Sequence, residues 1–350
     1  MDRIAGNILL IASLMLVCVT ILSFMIIALL IRNPSGKLAV DHPNDRSLHG
    51  KPTLKGAGVA IIVSIVAAVS FLLLSYSKMY VFLGTFGCCV AAMGVLGWLD
   101  DHRNLEIRVR LLTQSIVSVA AIGILGSVSE LSLSGYTLYL WLPVSLILSI
   151  VFLIWMTNLY NFMDGADGFV SSQSILISLV AAYWFFIHGD TAVMLLCAAI
   201  GGATTGVVVF NWAPARVFLG DTGSLALGMT FGLLAVYGIT RYDISFSAFL
   251  LLYGLLLYDA TVTLARRVLM GERFWNAHST HYYQRLIRAG ISHSKLAIIA
   301  LGVSLYLAML ATLDMLSIKP EPLWLIIGVI SLSILAVITN RYERVRRSES

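Results

Sequence analysis

Eleven apolar blocks, each near the length of a bilayer crossing, govern what this chain can fold into. They fall at about residues 6–31, 56–76, 79–98, 109–127, 138–157, 169–187, 191–210, 223–240, 244–265, 295–314 and 322–339. A transmembrane helix needs roughly 20 mainly apolar residues. Lipid offers no hydrogen-bond partners, so blocks of this kind must satisfy their own backbone as helices. Barrel strands would be about ten residues long and alternating, which is not the pattern. Of the 350 residues, 59% are hydrophobic and 12% charged, whereas soluble domains carry about 25% charged residues. The expected fold class is therefore all-α: a polytopic integral membrane protein with about 11 transmembrane helices, one domain over residues 1–350. The first block is too long for a signal-peptide core and no small-residue cleavage site follows it.

Lysine and arginine fix the expected orientation. With the N-terminus outside, 19 of the 23 basic residues lie on the inner face, and only Arg3, Lys78, Arg241 and Lys319 lie outside. The inner segments are then about 32–55, 99–108, 158–168, 211–222 and 266–294, with a cytoplasmic tail at 340–350. The net charge of +5 belongs to this topology and does not indicate nucleic-acid binding. Cys18, Cys88, Cys89 and Cys197 all sit in apolar blocks, without the spacing of a zinc site or a disulfide framework.

Acidic and amide side chains recur at the inner ends of these blocks, where an ionised group is costly and a functional role is the default expectation. Asp100-Asp101 closes the third block. Adjacent carboxylates repel, so the pair could bind a divalent cation, supply a base, or simply end the helix. Arg108 and Arg110 follow, and arginine forks suit phosphate oxygens; positive-inside flanking explains them equally well. Asn158, Asn161, Asp164 and Asp167 are spaced by three, which gathers them on one face of a helix or tight turn. Four oxygen-bearing groups suit a hard cation such as Mg2+, while a capped interfacial turn remains the plain alternative. Asp221, in the run Phe218-Leu-Gly-Asp221-Thr-Gly-Ser224, reads as a metal ligand or a helix cap.

His278-Ser-Thr-His281, with Arg273, Arg285 and Arg288 around it, reads as a pyrophosphate clamp more readily than as a two-histidine zinc site. In the first inner loop, His42, His49, Lys51 and Lys55 could meet phosphate. Asp259, near the inner end of the ninth block, is expected to be structural, paired with Arg266 or Arg267.

The order Asp-Asp, then Asn-x-x-Asn-x-x-Asp-Gly-x-Asp-Gly, then Phe-Leu-Gly-Asp-Thr-Gly-Ser, then His-x-x-His resembles the polyprenyl-phosphate N-acetylhexosamine-1-phosphate transferases, the MraY/WecA-like family. The stretch from Asp41 to Gly56 also looks like that family's first inner loop, and the match spans about residues 40–290. The resemblance implies transfer of a sugar-1-phosphate from a UDP-N-acetylhexosamine to undecaprenyl phosphate, with release of UMP, in the bacterial inner membrane. It implies Mg2+, or Mn2+ in its place, as the cofactor. Its partners are those two substrates and the bilayer, with no nucleic acid and with a homodimer as a candidate assembly.

Carried over by motif, Asp221 and Asn161 would be metal ligands. Asp167, with Asn158, would sit near the uracil, and Asp100, Asp101 and Asp164 would form the catalytic acids. Arg110, Arg108, Lys51, His278, His281 and Arg285 would meet phosphate. The chain departs from the family at its histidines: His278-Ser-Thr-His281 is followed by Tyr282-Tyr283, where MraY-like members carry three contiguous histidines. That departure leans towards transferases of the WecA and WbpL type, which initiate O-antigen or other surface polysaccharides, over the muramoyl-pentapeptide reaction. Two other classes call for a different pattern. An ion-coupled transporter would place its acids near the midplane on broken helices, and a CDP-alcohol phosphotransferase would carry a longer acidic motif around Asp164 than this chain has.

Overall fold

The computed structural model describes residues 2–33, 38–43, 48, 50–133, 136–272, 278–317 and 322–349. His49, Arg273 and Lys319, named above, lie outside the described residues. The chain is all-α, built from α1 (Asp2–Arg32), α2 (Gly58–Ser75), α3 (Tyr80–Arg103), α4 (Ile107–Leu125), α5 (Leu142–Met163), α6 (Phe169–Ile187) and α7 (Thr191–Asn211). These are followed by α8 (Gly220–Tyr242), α9 (Phe246–Leu252), α10 (Gly254–Leu269), α11 (Tyr282–Arg288), α12 (His293–Leu316) and α13 (Leu323–Glu349).

Among the described residues, ten helices are long and apolar enough to cross a membrane, or eleven if α9 and α10 count as one span. The block expected at 244–265 is therefore not one straight helix: α9 and α10 meet at 85° around Tyr253. Seven residues rise only about 10 Å, so α9 alone is too short to cross. Helix α8 is central, with 94% of its apolar stretch buried, against 17% in α1. It packs against α3 and α5, while α1 exposes Leu9, Leu10, Leu14 and Leu29 at its surface.

Local chemistry sets several helix ends. Asp190, Ser245 and Ser292 accept backbone N–H bonds from Val193, Ala248 and Lys295, capping α7, α9 and α12. Asn104 closes α3 in the left-handed region, at φ 48°. Asp190 is also the hub of the end opposite the acids, where it accepts the hydroxyls of Tyr237 at 2.9 Å and Tyr242 at 2.8 Å. Asp190→Ala would remove the cap and orphan both phenols, costing about 2–4 kcal/mol. Thermal unfolding of the purified protein should register this as a clear fall in Tm, and an unchanged Tm would refute the role.

Two small sheets interrupt the helices. Strands β3 (Glu130–Leu133) and β4 (Tyr136–Tyr139) form a hairpin between α4 and α5. At the other end, β1 (Ala39–Asp41) pairs antiparallel with β2 (Thr53–Lys55), and β2 pairs parallel with β5 (Val217–Phe218). The register Lys55↔Phe218 brings the first loop directly against the start of α8.

Several helices run further than the hydropathy blocks. Asp100 and Asp101 lie in the last turn of α3, Asn158 and Asn161 lie within α5, and Asp221 lies in the first turn of α8. The segment read as a tail at 340–350 continues α13 through Glu349. Hydropathy marks where a helix meets lipid, whereas the helices here continue past that depth.

Candidate active site

Four segments distant in sequence converge at one end of the bundle. A polar cavity of about 210 Å3 is lined by Lys55 from β2, Asn161 from α5, Asp164 and Asp167 from the α5–α6 turn, Gly220 and Asp221 from α8, Gln284 from α11 and His293 from α12.

Asp101 forms the base of this arrangement. Its carboxylate accepts the backbone N–H of Asp221 at 2.9 Å and of Thr222 at 3.1 Å, and the Thr222 hydroxyl at 2.6 Å. Lys55 Nζ lies 3.1 Å from the same carboxylate. Asp101 therefore satisfies the free amides at the start of α8, in place of the cap that Asp221 might have provided; the Asp221 side chain caps nothing. Gly220 sits at φ +72°, and a Cβ there would lie 2.6 Å from Asp101 Oδ2. Only glycine allows this close approach. Burial works against the Lys55 charge, but the Asp101 and Asp221 carboxylates outweigh it and raise the ammonium above its ordinary pKa.

Asp100 faces a different set of groups. It accepts the Leu105 N–H at 2.8 Å and pairs with Arg110 at 2.8 Å. Its carboxyl group lies near that of Asp221, close enough for the two to interact electrostatically. Asp221 in turn accepts from Asn161 Nδ2 at 2.6 Å, and Asn161 also donates to Ser224 at 3.1 Å. Arg110 reaches Asn161 Oδ1 at 3.4 Å, linking both halves of the cluster. Asp164, at the C-terminal end of α5, has its pKa pushed well above the ordinary carboxylate value by burial and then by the Asp221 and Asp101 charges.

Asp167 accepts the Ala215 N–H at 3.1 Å, and its own N–H donates to His293 Nδ1 at 3.1 Å. Asn211 anchors the turn that carries Asp167: it accepts from Gly168 N and Ser171 Oγ and donates to the Val217 carbonyl.

The structure does not bring every expected residue here. Asn158 donates to Gln114 at 2.7 Å and to the Ile154 carbonyl, and does not line the cavity. Lys51 and Arg108 are exposed and also lie outside the lining. The His-Arg loop is divided by its partners. His281 is buried against Asp259 at 3.3 Å, and Arg285 is held by Glu343 at 2.9 Å and Asn340 at 2.6 Å. His278 has its pKa lowered to about 4, first by burial and then by His281 and Arg267. Burial and its neighbours thus disfavour the charged form of His278. Among the described residues, no group of three His, Cys, Asp or Glu side chains is placed to hold a metal by itself.

Asp259 keeps its structural role but with other partners. It accepts the N–H groups of Tyr282 at 2.9 Å and Tyr283 at 3.0 Å, as well as Thr263 Oγ1. The 85° bend turns α10 so that this carboxylate meets the free amides at the start of α11, which take the place expected for Arg266 or Arg267. Of the first-loop candidates, Lys55 reaches the site; Gln284, His293 and Asn211 are the groups that sequence reasoning did not place there, and no local motif marks them.

A bundle of long apolar helices thus closes on a pocket of acids and cations, and the comparisons point to the phospho-sugar transferases. Residues 83–239 match the Glycosyl transferase family 4 model. A Bacillus subtilis (strain 168) protein named "Probable undecaprenyl-phosphate N-acetylglucosaminyl 1-phosphate transferase" is 27% identical over 91% of this chain and 88% of its own length. A Geobacillus sp. (strain WCH70) phospho-N-acetylmuramoyl-pentapeptide-transferase is 27% identical over 75% of this chain and 82% of its own. A Mycolicibacterium smegmatis decaprenyl-phosphate N-acetylglucosaminephosphotransferase is 25% identical over 73% and 70% respectively. The chain is thus similar to the MraY/WecA-like transferases, with the glycosyl transferase family 4 match lying over its middle segment.

Proposed function

We propose that the chain transfers an N-acetylhexosamine-1-phosphate from a UDP-sugar to undecaprenyl phosphate, releasing UMP, as the initiating step of O-antigen or other surface polysaccharide synthesis. The observation that carries this reading is the Asp100–Asp221–Asn161 cluster faced by Lys55 and Arg110 at one end of a membrane bundle. The positive-inside distribution of charge supports a cytoplasmic orientation for that end, in the inner membrane. The relatives' names support a polyprenyl phosphate acceptor.

The donor set fits Mg2+. Two neighbouring carboxyl groups, with a third carboxyl of raised pKa nearby, need a proton or a cation between them, and an all-oxygen set suits a hard cation. Asp221, Asn161 and Asp100 would hold it, and when bound it would neutralise charge on the diphosphate. Lys55 and Arg110 add fixed positive charge on either side of the acids.

Asp101, committed to four donors, positions α8 and Lys55. Asp100, which accepts a single backbone amide among the described residues, that of Leu105, is the better base. In direct attack, an acceptor phosphate oxygen bonds to the β-phosphorus of the UDP-sugar, the bond to the α-phosphate oxygen breaks, and UMP leaves. Any proton on the attacking oxygen passes to Asp100. A trapped phospho-aspartate would overturn the direct route. Asp167 and His293, on the opposite wall, would meet the nucleotide.

Purified protein with undecaprenyl phosphate and Mg2+ should release UMP from at least one UDP-N-acetylhexosamine. It should release none from the UDP-muramoyl-pentapeptide, given the His278-Ser-Thr-His281-Tyr282 departure. The reverse preference would establish the muramoyl reaction, and no UMP from any donor would defeat the proposal.

Asp164 makes a prediction about pH. Its raised pKa means that it favours the fold when protonated. That contribution is fully present below the pKa of a free aspartate and is lost as pH rises through the folded-state value. In chelator, the Tm of the wild type should therefore fall with rising pH more steeply than that of Asp164→Asn. Parallel Tm–pH curves would remove Asp164 from the acidic cluster.

A further inference from the structure

A second cavity, of about 970 Å3, opens between α10, α11 and the end of α13, and it shares no lining residue with the acidic pocket. Helix α11 stands between them, presenting Gln284 to the acids and Tyr282, Arg285 and Arg288 to the larger cavity.

The walls of this cavity are arginine-rich. Arg266, Arg267, Arg285, Arg288, Arg344 and Arg346 line it, against two carboxylates, Glu272 and Glu343. Arg267 pairs with Glu272 at 2.7 Å, and Arg285 pairs with Glu343. Arg288 is spent on the Ser279 carbonyl at 3.1 Å, and Arg346 lies over the Tyr342 ring at 5.7 Å. Arg266 and Arg344 are exposed and have no carboxylate partner among the described residues.

Six guanidinium groups around one concave surface repel one another, and two glutamates leave a net excess of four positive charges. Guanidinium forks match phosphate oxygens in both charge and geometry. The rim adds a second character. Val268, Leu269 and Met270, at the end of α10, are 55%, 87% and 60% exposed, and Met270 itself lines the cavity. An apolar lip beside a basic hollow is how a membrane protein receives an anionic head group at the bilayer surface.

We propose that this cavity is a second anion site, distinct from the acidic pocket, that binds a ligand carrying two or more phosphate charges and bridges the end of α13 to α10 and α11. The phosphates can come from the bilayer, as an anionic phospholipid head group, or from solution, as a free polyphosphate. The chemistry that recognises them is the same, and the binding is independent of sugar transfer.

The test uses the full chain in neutral phosphatidylcholine nanodiscs with EDTA, so that no metal-held phosphate can occupy the acidic pocket. One arm titrates cardiolipin and the other inorganic tripolyphosphate, with binding followed by native mass spectrometry and by the shift in Tm. The wild type should bind at least one of them, weakening as salt rises. Arg266→Gln/Arg344→Gln should bind it about tenfold or more weakly. Arg266→Lys/Arg344→Lys should retain most of the binding, and UMP release in neutral lipid should be unchanged in both variants. Cardiolipin alone would identify the bilayer as the source; tripolyphosphate alone would identify solution. Should the double glutamine variant fail to fold, Arg344→Gln alone, on the exposed end of α13, carries the same expectation at smaller size. Equal binding by wild type and glutamine variants, or no binding of either anion, would overturn the proposal.

Discussion

Asp221→Asn should lower sugar-phosphate transfer on the order of 10^2- to 10^3-fold while leaving the melting temperature of the metal-free protein nearly unchanged or raised. The loss follows from the position of Asp221. Its side chain meets Asn161 and lies near Asp100, so it contributes the charge about which the cluster is organised. Removing one preorganised electrostatic contact at a reacting centre costs on that order. The fold should persist because the bonds that seat α8 on Asp101 come from the backbone of Asp221 and from Thr222, and neither depends on the Asp221 side chain. Replacing one member of a crowded carboxyl pair by a neutral amide also relieves repulsion. UMP release and thermal unfolding, measured on the same preparation, separate the two effects. Wild-type rates in Asp221→Asn would falsify the placement of this residue at the reaction centre.

The second large effect is expected from a residue with no chemistry at all. A Cβ on Gly97 would lie 2.2 Å from the Asp221 carbonyl oxygen and 2.5 Å from the Thr222 nitrogen. These are backbone atoms of the central helix, so neither can rotate away. Gly97→Ala must therefore push α3 and α8 apart, and overpacking of this kind costs about 1–3 kcal/mol or more. It also shifts Asp100 and Asp101, one turn further along α3, relative to Asp221. A displacement near 1 Å can cost about 10^2-fold in rate. Both Tm and UMP release should fall. Gly123→Ala on α4, where a Cβ would meet nothing within 4 Å, is the matched control and should be silent in both measurements.

Much of this architecture can be read from the sequence. Long apolar blocks leave the chain no alternative to helices, and acids at their ends announce a site. Three features lie beyond that reading. The first is where the helices stop: α3 carries Asp100 and Asp101 in its final turn because the hydrogen-bond ladder continues past the apolar residues. The second is the break at Tyr253, marked by nothing stronger than the adjacent Gly254. The third is the sorting of the basic loop. Arg285 and Arg110 look alike in sequence, but Glu343 claims one and Asp100 the other, and those partners come from distant helices. His281 was in the same position, since Asp259 claims it from a helix whose direction the sequence does not reveal. Side chains that meet across the fold leave no local signal of period or spacing.

The parallel pairing of β2 with β5 has a consequence for how the pocket is divided along the chain. The family match covers residues 83–239, which include Asp100, Asp101, Asp164, Asp167 and Asp221. Lys55, Gln284 and His293 lie outside it, and Lys55 reaches the pocket through two ladder positions between strands of three and two residues. The matched segment thus carries the negative half of the pocket, and flanking segments complete the opposite wall by strand addition from one side and by α11 and α12 from the other. A change in either flank can therefore alter the wall that faces the acids without touching the acids themselves.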